Sequence, residues 1–197
     1  MVTVFAFEGA HGSGKTFVVN KLKKKFLGLD EGFITNRRAF FDPQGFYRET
    51  QWGMSWLRRL EDICTPYYDT DKKMFKDEGV IITDRSPYSS CVYAKKHGIH
   101  AKKVFDISLK EFKEKGVNLY IIYLDGDKDK LMKRILERLE REPERKELNE
   151  DSKDHLEDVI RRYKLFDDCW DKKVDIDDEG TLIERIHEFI QTKIGLK

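Results

Sequence analysis

The sequence predicts an α/β fold in which helices cover a parallel sheet, and three observations indicate this class. Apolar runs of strand length alternate with longer segments of helical periodicity along the chain. The run at residues 80–83 is continuously apolar rather than alternating, which is typical of a strand buried on both faces of a parallel sheet. The first such run, at residues 2–7, leads directly into a glycine-rich loop and a helix.

Each element is predicted from the spacing of its apolar residues. Strands are expected where β-branched and aromatic residues run together, and helices where apolar residues recur at three and four positions, as at Trp52, Trp56 and Leu60. The predicted strands cover residues 2–7, 33–35, 80–83, 119–124 and 174–176. The predicted helices cover residues 15–27, 49–75, 89–96, 104–115, 128–142, 152–170 and 181–193. No repeat or linker interrupts this order, so one domain is expected over residues 1–197.

The composition argues against several classes of protein. The 38 lysine and arginine residues balance the 37 aspartate and glutamate residues, and a net charge of +1 gives no basic field that would favour nucleic acid as a partner. There is no charged and apolar leader and no apolar run near the ~18 residues of a membrane span, so we expect a cytoplasmic protein without a membrane partner. Cys64, Cys91 and Cys169 lie far apart without metal-ligand spacing, and reduced thiols are expected.

Residues 9–16 have the spacing Gly-x-x-x-x-Gly-Lys-Thr of a phosphate-binding loop. Glycines let successive N–H groups face an anion, and the following helix adds the positive end of its dipole. Lys15 can reach the outer phosphates, the Thr16 hydroxyl is a hard ligand for Mg2+, and His11 is expected to be a solvated side chain. The predicted nucleotide contacts are Gly9, Ala10, His11, Gly12, Ser13, Gly14, Lys15 and Thr16.

Asp84 and Arg85 follow the third predicted strand at its carboxyl end, the edge at which open α/β sheets bind ligands. Asp84 is well placed to hold Mg2+ through water opposite Thr16. Arg85 can bridge the phosphates of a donor and an acceptor. The alternative is a structural pair that caps the helix beginning near Pro87.

An aromatic segment and the helix after it are candidates for an acceptor pocket, because a flat heterocycle binds well between aromatic faces. The candidate rings are Phe40, Phe41, Phe46, Tyr47, Trp52 and Trp56, although for any one ring the hydrophobic core is the commoner role. Gln51 and Arg58 are seven residues apart on one helix face, and the Gln51 amide can both donate and accept at the edge of a pyrimidine. Exposed polarity without a binding role is the alternative.

Arg134, Arg138 and Arg141 recur at threes and fours along the fifth predicted helix, before a charged stretch at residues 144–147. Such a run is commonly a solvated face held by salt bridges. Beside a phosphate-binding loop, an arginine-rich lid that closes on a triphosphate would neutralise the transition state and exclude water. We expect this lid at about residues 134–150.

Residues 7–16 resemble the Phe-Glu-Gly-x-Asp-Gly-x-Gly-Lys opening of thymidylate kinases, with His11 in place of the Asp. Residues 84–90 are similar both to the Asp-Arg pair of these enzymes and to the Glu-Arg-Ser-x-Tyr-Ser of deoxynucleoside kinases. Gln51 with Arg58 resembles the base-reading Gln and helix Arg of the deoxynucleoside kinases. Over most of its length, the chain is identified as a member of this group of P-loop kinases.

The resemblance implies a P-loop NTPase-type three-layer fold, with a five-stranded parallel sheet in the order 2-3-1-4-5 and a helical lid. It also implies ATP and Mg2+ as cofactors and a homodimer. The implied catalytic residues are Lys15, Asp84, Arg85, Arg138 and Arg141, and Arg134 and Arg138 join the loop in binding ATP. The implied acceptor contacts are Glu8, Phe41, Asp42, Gln51, Arg58, Arg85 and Tyr88, and the metal ligands are Thr16 and Asp84. The Arg-Glu-Pro-Gly-Gly of thymidylate kinases has only a partial counterpart at residues 41–45.

Three hypotheses about function follow. The main prediction is a thymidylate kinase-like enzyme that moves the γ-phosphate of ATP to dTMP, whose anionic phosphate needs no general base. The alternative is a deoxynucleoside kinase, whose 5'-hydroxyl acceptor requires a carboxylate base, Asp42 or Glu8. The third is a non-catalytic nucleotide-binding module. In such a module, Arg85, Gln51 and the lid arginines could be replaced without loss of ATP affinity.

Overall fold

The computed structural model describes residues 2–29, 46–69, 74–75, 79–94, 97–148, 150–178 and 180–195. Its strands are β1 (Val2–Glu8), β2 (Leu27–Leu29), β3 (Tyr68–Asp69), β4 (Met74–Phe75), β5 (Gly79–Asp84), β6 (Val117–Asp125) and β7 (Lys172–Asp175). Its helices are α1 (Lys15–Leu22), α2 (Phe46–Cys64), α3 (Tyr88–Tyr93), α4 (Gly98–Glu114), α5 (Lys128–Leu139), α6 (Lys153–Leu165) and α7 (Leu182–Ile194). Short 3-10 helices cover Thr65–Tyr67, Pro143–Leu148 and Asp167–Cys169.

A five-stranded parallel sheet lies at the centre of the fold, in the order β2-β5-β1-β6-β7. Counted along the chain, these strands have the order 2-3-1-4-5, so the predicted fold class is confirmed. Strand β1 lies between β5 and β6, and all seven of its residues are buried. Phe7 of β1 pairs with Asp84 of β5, which brings the end of β5 next to the loop that follows β1.

Helices pack on this sheet and bury its apolar side chains. Helix α1 contacts β1, β2 and β5, helix α4 contacts β6, and helix α7 contacts β7. Phe5, Ile82 and Ile122 are fully buried strand residues, and each such side chain stabilises the fold by about 1.5–3 kcal/mol. Of the helices in the described ranges, none is both long and apolar enough to cross a membrane.

The second strand begins earlier than predicted. Helix α1 ends at Leu22 instead of residue 27, and Leu27 pairs with Ile81 of β5. The lysines at residues 23–25 continue the helical pattern in the sequence but form a turn, because pairing with the edge of β5 outweighs helix propensity. The strand predicted at residues 33–35 lies outside the described residues.

Two other predicted helices end early. Helix α2 ends at Cys64, because Pro66 lacks an N–H donor, and β3 and β4 then form an antiparallel pair. Helix α6 ends at Leu165 instead of residue 170. After the 3-10 turn that follows, Trp170 stacks on Tyr123 of β6 with ring centroids 5.6 Å apart.

Candidate active site

The loop between β1 and α1 is packed closely against the end of β6 and against α5. Gly9 (φ +151°) and Gly12 (φ +78°) have backbone conformations that favour glycine. A Cβ atom on Gly9 would lie 2.8 Å from the carbonyl oxygen of Leu124, and one on Gly12 would lie 2.7 Å from that of Leu131. Both positions therefore require glycine.

Lys15 begins α1 and is only 7% exposed. Its ammonium group donates to the carbonyl oxygens of Gly9 at 2.8 Å and Ala10 at 3.0 Å, and to the Ser13 hydroxyl at 3.3 Å. These contacts hold a positive charge against the loop backbone. The loop thus combines an ordered cation with the N–H groups at the start of α1, which is a suitable arrangement for phosphate.

Thr16 and Asp84 meet between the loop and the end of β5. The Thr16 hydroxyl donates to Asp84 Oδ2 at 2.6 Å. The other carboxylate oxygen, Oδ1, is buried and has no hydrogen-bond partner among the described residues. A buried oxygen without a partner costs about 1–3 kcal/mol, and a hard cation or its bound water would satisfy it.

These two side chains fit Mg2+, which binds proteins through one or two carboxylates and takes its other ligands from phosphates and water. In the described part of the chain, no group of three or more His, Cys, Asp or Glu side chains could hold a metal ion. Thr16 and Asp84 would therefore share the ion with the phosphates of a nucleotide.

Arg85 has a left-handed backbone conformation, with φ +75°. A non-glycine residue in this region carries a strain of about 1–3 kcal/mol. Three hydrogen bonds hold the conformation: Arg85 N donates to Phe7 O at 3.0 Å, and Arg85 O accepts from Thr83 Oγ1 at 2.9 Å and Trp56 Nε1 at 3.1 Å. The guanidinium group lies over the Tyr93 ring, 5.4 Å from its centroid.

Glu8 ends β1 and is fully buried. Its carboxylate accepts from Ser86 N at 2.8 Å, Ser86 Oγ at 2.6 Å, Ser89 Oγ at 2.8 Å and Tyr163 Oη at 3.0 Å. Burial, together with the neighbouring Glu8, raises the pKa of Tyr163 well above its ordinary value, so the Tyr163 hydroxyl stays protonated and donates. The Glu8 oxygens thus anchor the turn after β5 and helix α6, and a contact of Glu8 with the acceptor, or its action as a base, stays a prediction.

The prediction that His11 is solvated is wrong, since its side chain is only 12% exposed. Burial lowers the pKa of His11 to about 4, and the cations Arg85 and Lys15 act in the same direction, although the hydrogen bond to Glu150 opposes them. The ring is therefore neutral at pH 7. Because a carboxylate can only accept, Nδ1 donates to Glu150 Oε1 at 3.2 Å, and Nε2 accepts from the Tyr93 hydroxyl at 3.0 Å.

Glu150 links the loop to the predicted lid. Its side chain is fully buried and forms ion pairs with Arg138 and with Arg145, whose Nη2 lies 3.0 Å from Oε1 and whose Nε lies 3.1 Å from Oε2. Burial alone would raise the pKa of Glu150, but the hydrogen bonds from His11 and Arg145 and the charge of Arg138 outweigh it, so the pKa lies well below its ordinary value. Glu150 is therefore a carboxylate at neutral pH.

The sequence profile of the deoxynucleoside kinase family matches residues 5–191. The chain belongs to this family. Among 255 matching chains of solved structures is a deoxyadenosine kinase from M. mycoides with products dCMP and a flexible dCDP bound. It has a TM-score of 0.59 and 17% sequence identity, over 96% of this chain and 99% of that chain, which shows a shared fold. No curated protein sequence matches.

Family membership makes this chain an ATP-dependent kinase of the deoxynucleoside kinase family, so the prediction of a P-loop kinase is confirmed. It also supports the deoxynucleoside kinase alternative better than the main prediction of a dTMP kinase.

The predicted acceptor contacts in this kinase are only partly described. Gln51 and Arg58 are both exposed on α2, whereas Trp52 and Trp56 of the same helix are buried in the core. Gln51 and Arg58 thus remain predictions, and the two Trp residues take the structural role. Phe40, Phe41 and Asp42 lie outside the described residues, as do the side chains of Phe46 and Tyr47.

Tyr88 makes structural contacts, and its predicted contact with the acceptor stays a prediction. Its hydroxyl donates to Asp106 of α4 at 2.5 Å, and its ring packs edge-on against Trp170 with centroids 6.4 Å apart. Of the other predicted lid arginines, Arg141 is exposed and Arg134 is half-buried. Their assignments to catalysis and to ATP stay predictions.

Tyr93 and the connection of Glu150 to the loop have no signature in the sequence. Glu150 is one acid among many in a charged stretch, and nothing in its spacing separates it from a solvated residue. Tyr93 lies in a predicted helix without any motif of its own. Both become visible only when β1, α3 and the segment before α6 meet around His11.

Proposed function

We propose that this kinase transfers the γ-phosphoryl group of ATP to the 5'-hydroxyl of a deoxynucleoside, with Mg2+. The main observation in support of phosphoryl transfer is the 2.6 Å contact between Thr16 of the loop and Asp84 of β5. Arg85 follows Asp84 in the chain. The family match over residues 5–191 supports a nucleoside as the acceptor.

In this reaction the acceptor oxygen forms a bond to the γ-phosphorus as the bond to the β-phosphate oxygen breaks, and ADP leaves. The transition state is loose, so the protein acts mainly by positioning and by charge. Lys15 and the N–H groups of α1 bind the donor phosphates, Arg85 stabilises the charge between donor and acceptor, and Arg138 belongs to the lid side of the site. Thr16 and Asp84 would hold Mg2+, which supplies charge neutralisation when bound.

The 5'-hydroxyl must also lose a proton, and a carboxylate within hydrogen-bond reach has to take it. Glu8 is occupied by four donor atoms and is poorly suited to this step. We therefore assign the base to Asp42, the other acid that the sequence offers for this role.

A dTMP kinase is the second candidate. It is favoured by Asp84, which stands where deoxynucleoside kinases have Glu in their Glu-Arg-Ser motif, and by the Phe-Glu-Gly opening at residues 7–9. Both features resemble thymidylate kinases.

The kcat/KM for a panel of acceptors separates these candidates. ADP release from Mg-ATP is measured with each deoxynucleoside and each deoxynucleoside monophosphate. We expect kcat/KM for one or more deoxynucleosides to exceed that for dTMP by at least about 100-fold. Turnover of dTMP alone would favour the second candidate, and no turnover with any acceptor would favour a binding module.

A homodimer and a cytoplasmic location are also proposed. The resemblance to P-loop kinases supports the dimer, and the free thiols of Cys64, Cys91 and Cys169 suit a reducing compartment. Light scattering on the eluting protein would test the dimer through its mass.

A further inference from the structure

A continuous set of contacts joins Arg85 to the lid arginines. Arg85 lies over the ring of Tyr93, the Tyr93 hydroxyl contacts His11, and His11 contacts Glu150. Glu150 in turn binds Arg138 and Arg145 on the lid side. The loop residue His11 thus links Arg85 to the lid arginines Arg138 and Arg145.

We propose that Glu150 is a positioning residue that holds Arg138 at the phosphate-binding loop. Glu150 is itself fixed to the loop through His11, so the lid is already ordered when ATP binds. This inference rests on the proposed role of ATP as the phosphate donor. Glu150 contacts the loop through the His11 side chain and acts through the arginine that it holds.

Burial shows that the Glu150 contacts are specific. A carboxylate taken out of water costs several kcal/mol unless charged hydrogen bonds replace its hydration, and Glu150 has an exposed fraction of 0%. Both of its oxygens are used, since Oε1 binds His11 and Arg145 and Oε2 binds Arg138 and Arg145. Such a carboxylate has one well-defined position, which surface ion pairs lack.

The two arginines have different parts in this arrangement. Arg145 binds Glu150 through two nitrogens and also lies 3.3 Å from Glu142. Its donors therefore hold the Glu150 carboxylate in place. Arg138 contacts Glu150 through one nitrogen, Nη2, and its side chain is 31% exposed. The exposed part of its guanidinium group can therefore also donate to phosphate oxygens.

An ordered arginine improves binding because the cost of fixing its long side chain is met before the ligand arrives. In the opposite role, Glu150 would occupy the arginines and compete with phosphate for them. The two roles predict opposite signs for the effect of removing the charge, so ATP affinity distinguishes them.

A double-mutant cycle on ATP affinity tests the proposal. The Kd of Mg-ATP is measured by calorimetry without acceptor for wild type, Glu150→Gln, Arg138→Ala and the double variant. We expect Glu150→Gln to raise the Kd of Mg-ATP by roughly tenfold. The double variant should have a Kd no higher than that of Arg138→Ala, because Glu150 acts through that arginine. A general structural role for Glu150 would instead give additive losses.

The matched control is Glu157→Gln, which removes an exposed acid paired with Lys128 at 2.6 Å and should leave the Kd unchanged. Thermal unfolding of each variant checks that it folds. Should Glu150→Gln not fold, His11→Leu replaces it, since it removes the donor that fixes Glu150 to the loop, and the same lack of additivity with Arg138→Ala is expected.

An unchanged or lower Kd of Mg-ATP for Glu150→Gln, or additive losses of ATP affinity in the cycle, would overturn the proposal. Because no acceptor is present, a wild type that binds ATP but phosphorylates no acceptor contradicts only the proposed function. A wild type that does not bind ATP contradicts both.

Discussion

The Thr16 hydroxyl lies 2.6 Å from Asp84 Oδ2, although the two residues are far apart in the sequence. This contact joins the start of α1 to the carboxyl end of β5. It exists because β1 and β5 are parallel neighbours, with Phe7 paired to Asp84. One oxygen of Asp84 is left without a partner among the described residues, next to a hydroxyl that is itself a hard ligand.

The first prediction concerns the metal. Asp84→Asn keeps the shape of the side chain but removes its charge, so the Mg2+ concentration for half-maximal activity should rise and kcat should fall on the order of 100-fold. A Mg2+ titration of the initial rate measures both. Asp62→Asn, an exposed acid of α2, is the control. An unchanged Mg2+ requirement in Asp84→Asn would show that Asp84 does not hold the ion.

The second prediction concerns the loop cation. Lys15→Ala removes the buried ammonium group, and kcat/KM should fall by at least about 100-fold, because charge at the transferring phosphoryl group is lost. Initial rates at several ATP concentrations give the value. Lys21→Ala, in the last turn of the same helix and exposed, should stay within about twofold of wild type. Equal losses in the two variants would contradict the assignment.

The third prediction uses the left-handed backbone of Arg85. Arg85→Gly and Arg85→Ala both lose the guanidinium group and should both lose activity. Only glycine relieves the positive φ, so Arg85→Gly should be more stable than Arg85→Ala by about 1 kcal/mol. Urea unfolding of the two variants measures the difference. Equal free energies of unfolding would mean that this position carries no strain.

The fourth prediction is a pH dependence of stability. The pKa of His11 is lowered to about 4 in the folded protein from 6.5, so the unfolded chain binds a proton first as the pH falls. Stability that is present above pH 6.5 is therefore lost towards pH 4, by about 2 kcal/mol between pH 7 and pH 5. Urea unfolding at these two pH values measures it for wild type and for His11→Gln.

The His11→Gln variant has no imidazole and should lose less stability between the two pH values. The lowered pKa of Glu150 adds a loss of the same sign, but only at more acidic pH, below the ordinary pKa of a glutamate. The same slope in wild type and His11→Gln would contradict the buried, neutral imidazole.

The parts of the site with a local sequence signature could be predicted. The glycines, Lys15 and Thr16 form a contiguous motif, and Asp84 follows a strand that is apolar throughout, so their meeting follows from parallel sheet geometry. The order of the strands came from the resemblance to a family, and the structure confirms it.

Features that depend on tertiary contacts could not be predicted. The left-handed conformation of Arg85 has no signature, because the residue is not glycine and two of the hydrogen bonds that hold it involve Phe7 of β1 and Trp56 of α2. The burial of Glu8 depends on Ser86, Ser89 and Tyr163, which are distant in sequence. The early start of β2 depends on an edge of β5 that a local pattern of lysines does not reveal.

The most direct test of the proposed function is the identity of the labelled product from ATP carrying 32P in its γ-phosphate. The protein is incubated with Mg2+ and this ATP, in separate reactions with each deoxynucleoside and with dTMP, and the products are separated by chromatography. The proposed function predicts label in a deoxynucleoside monophosphate. Label only in dTDP, or only in inorganic phosphate, would contradict it.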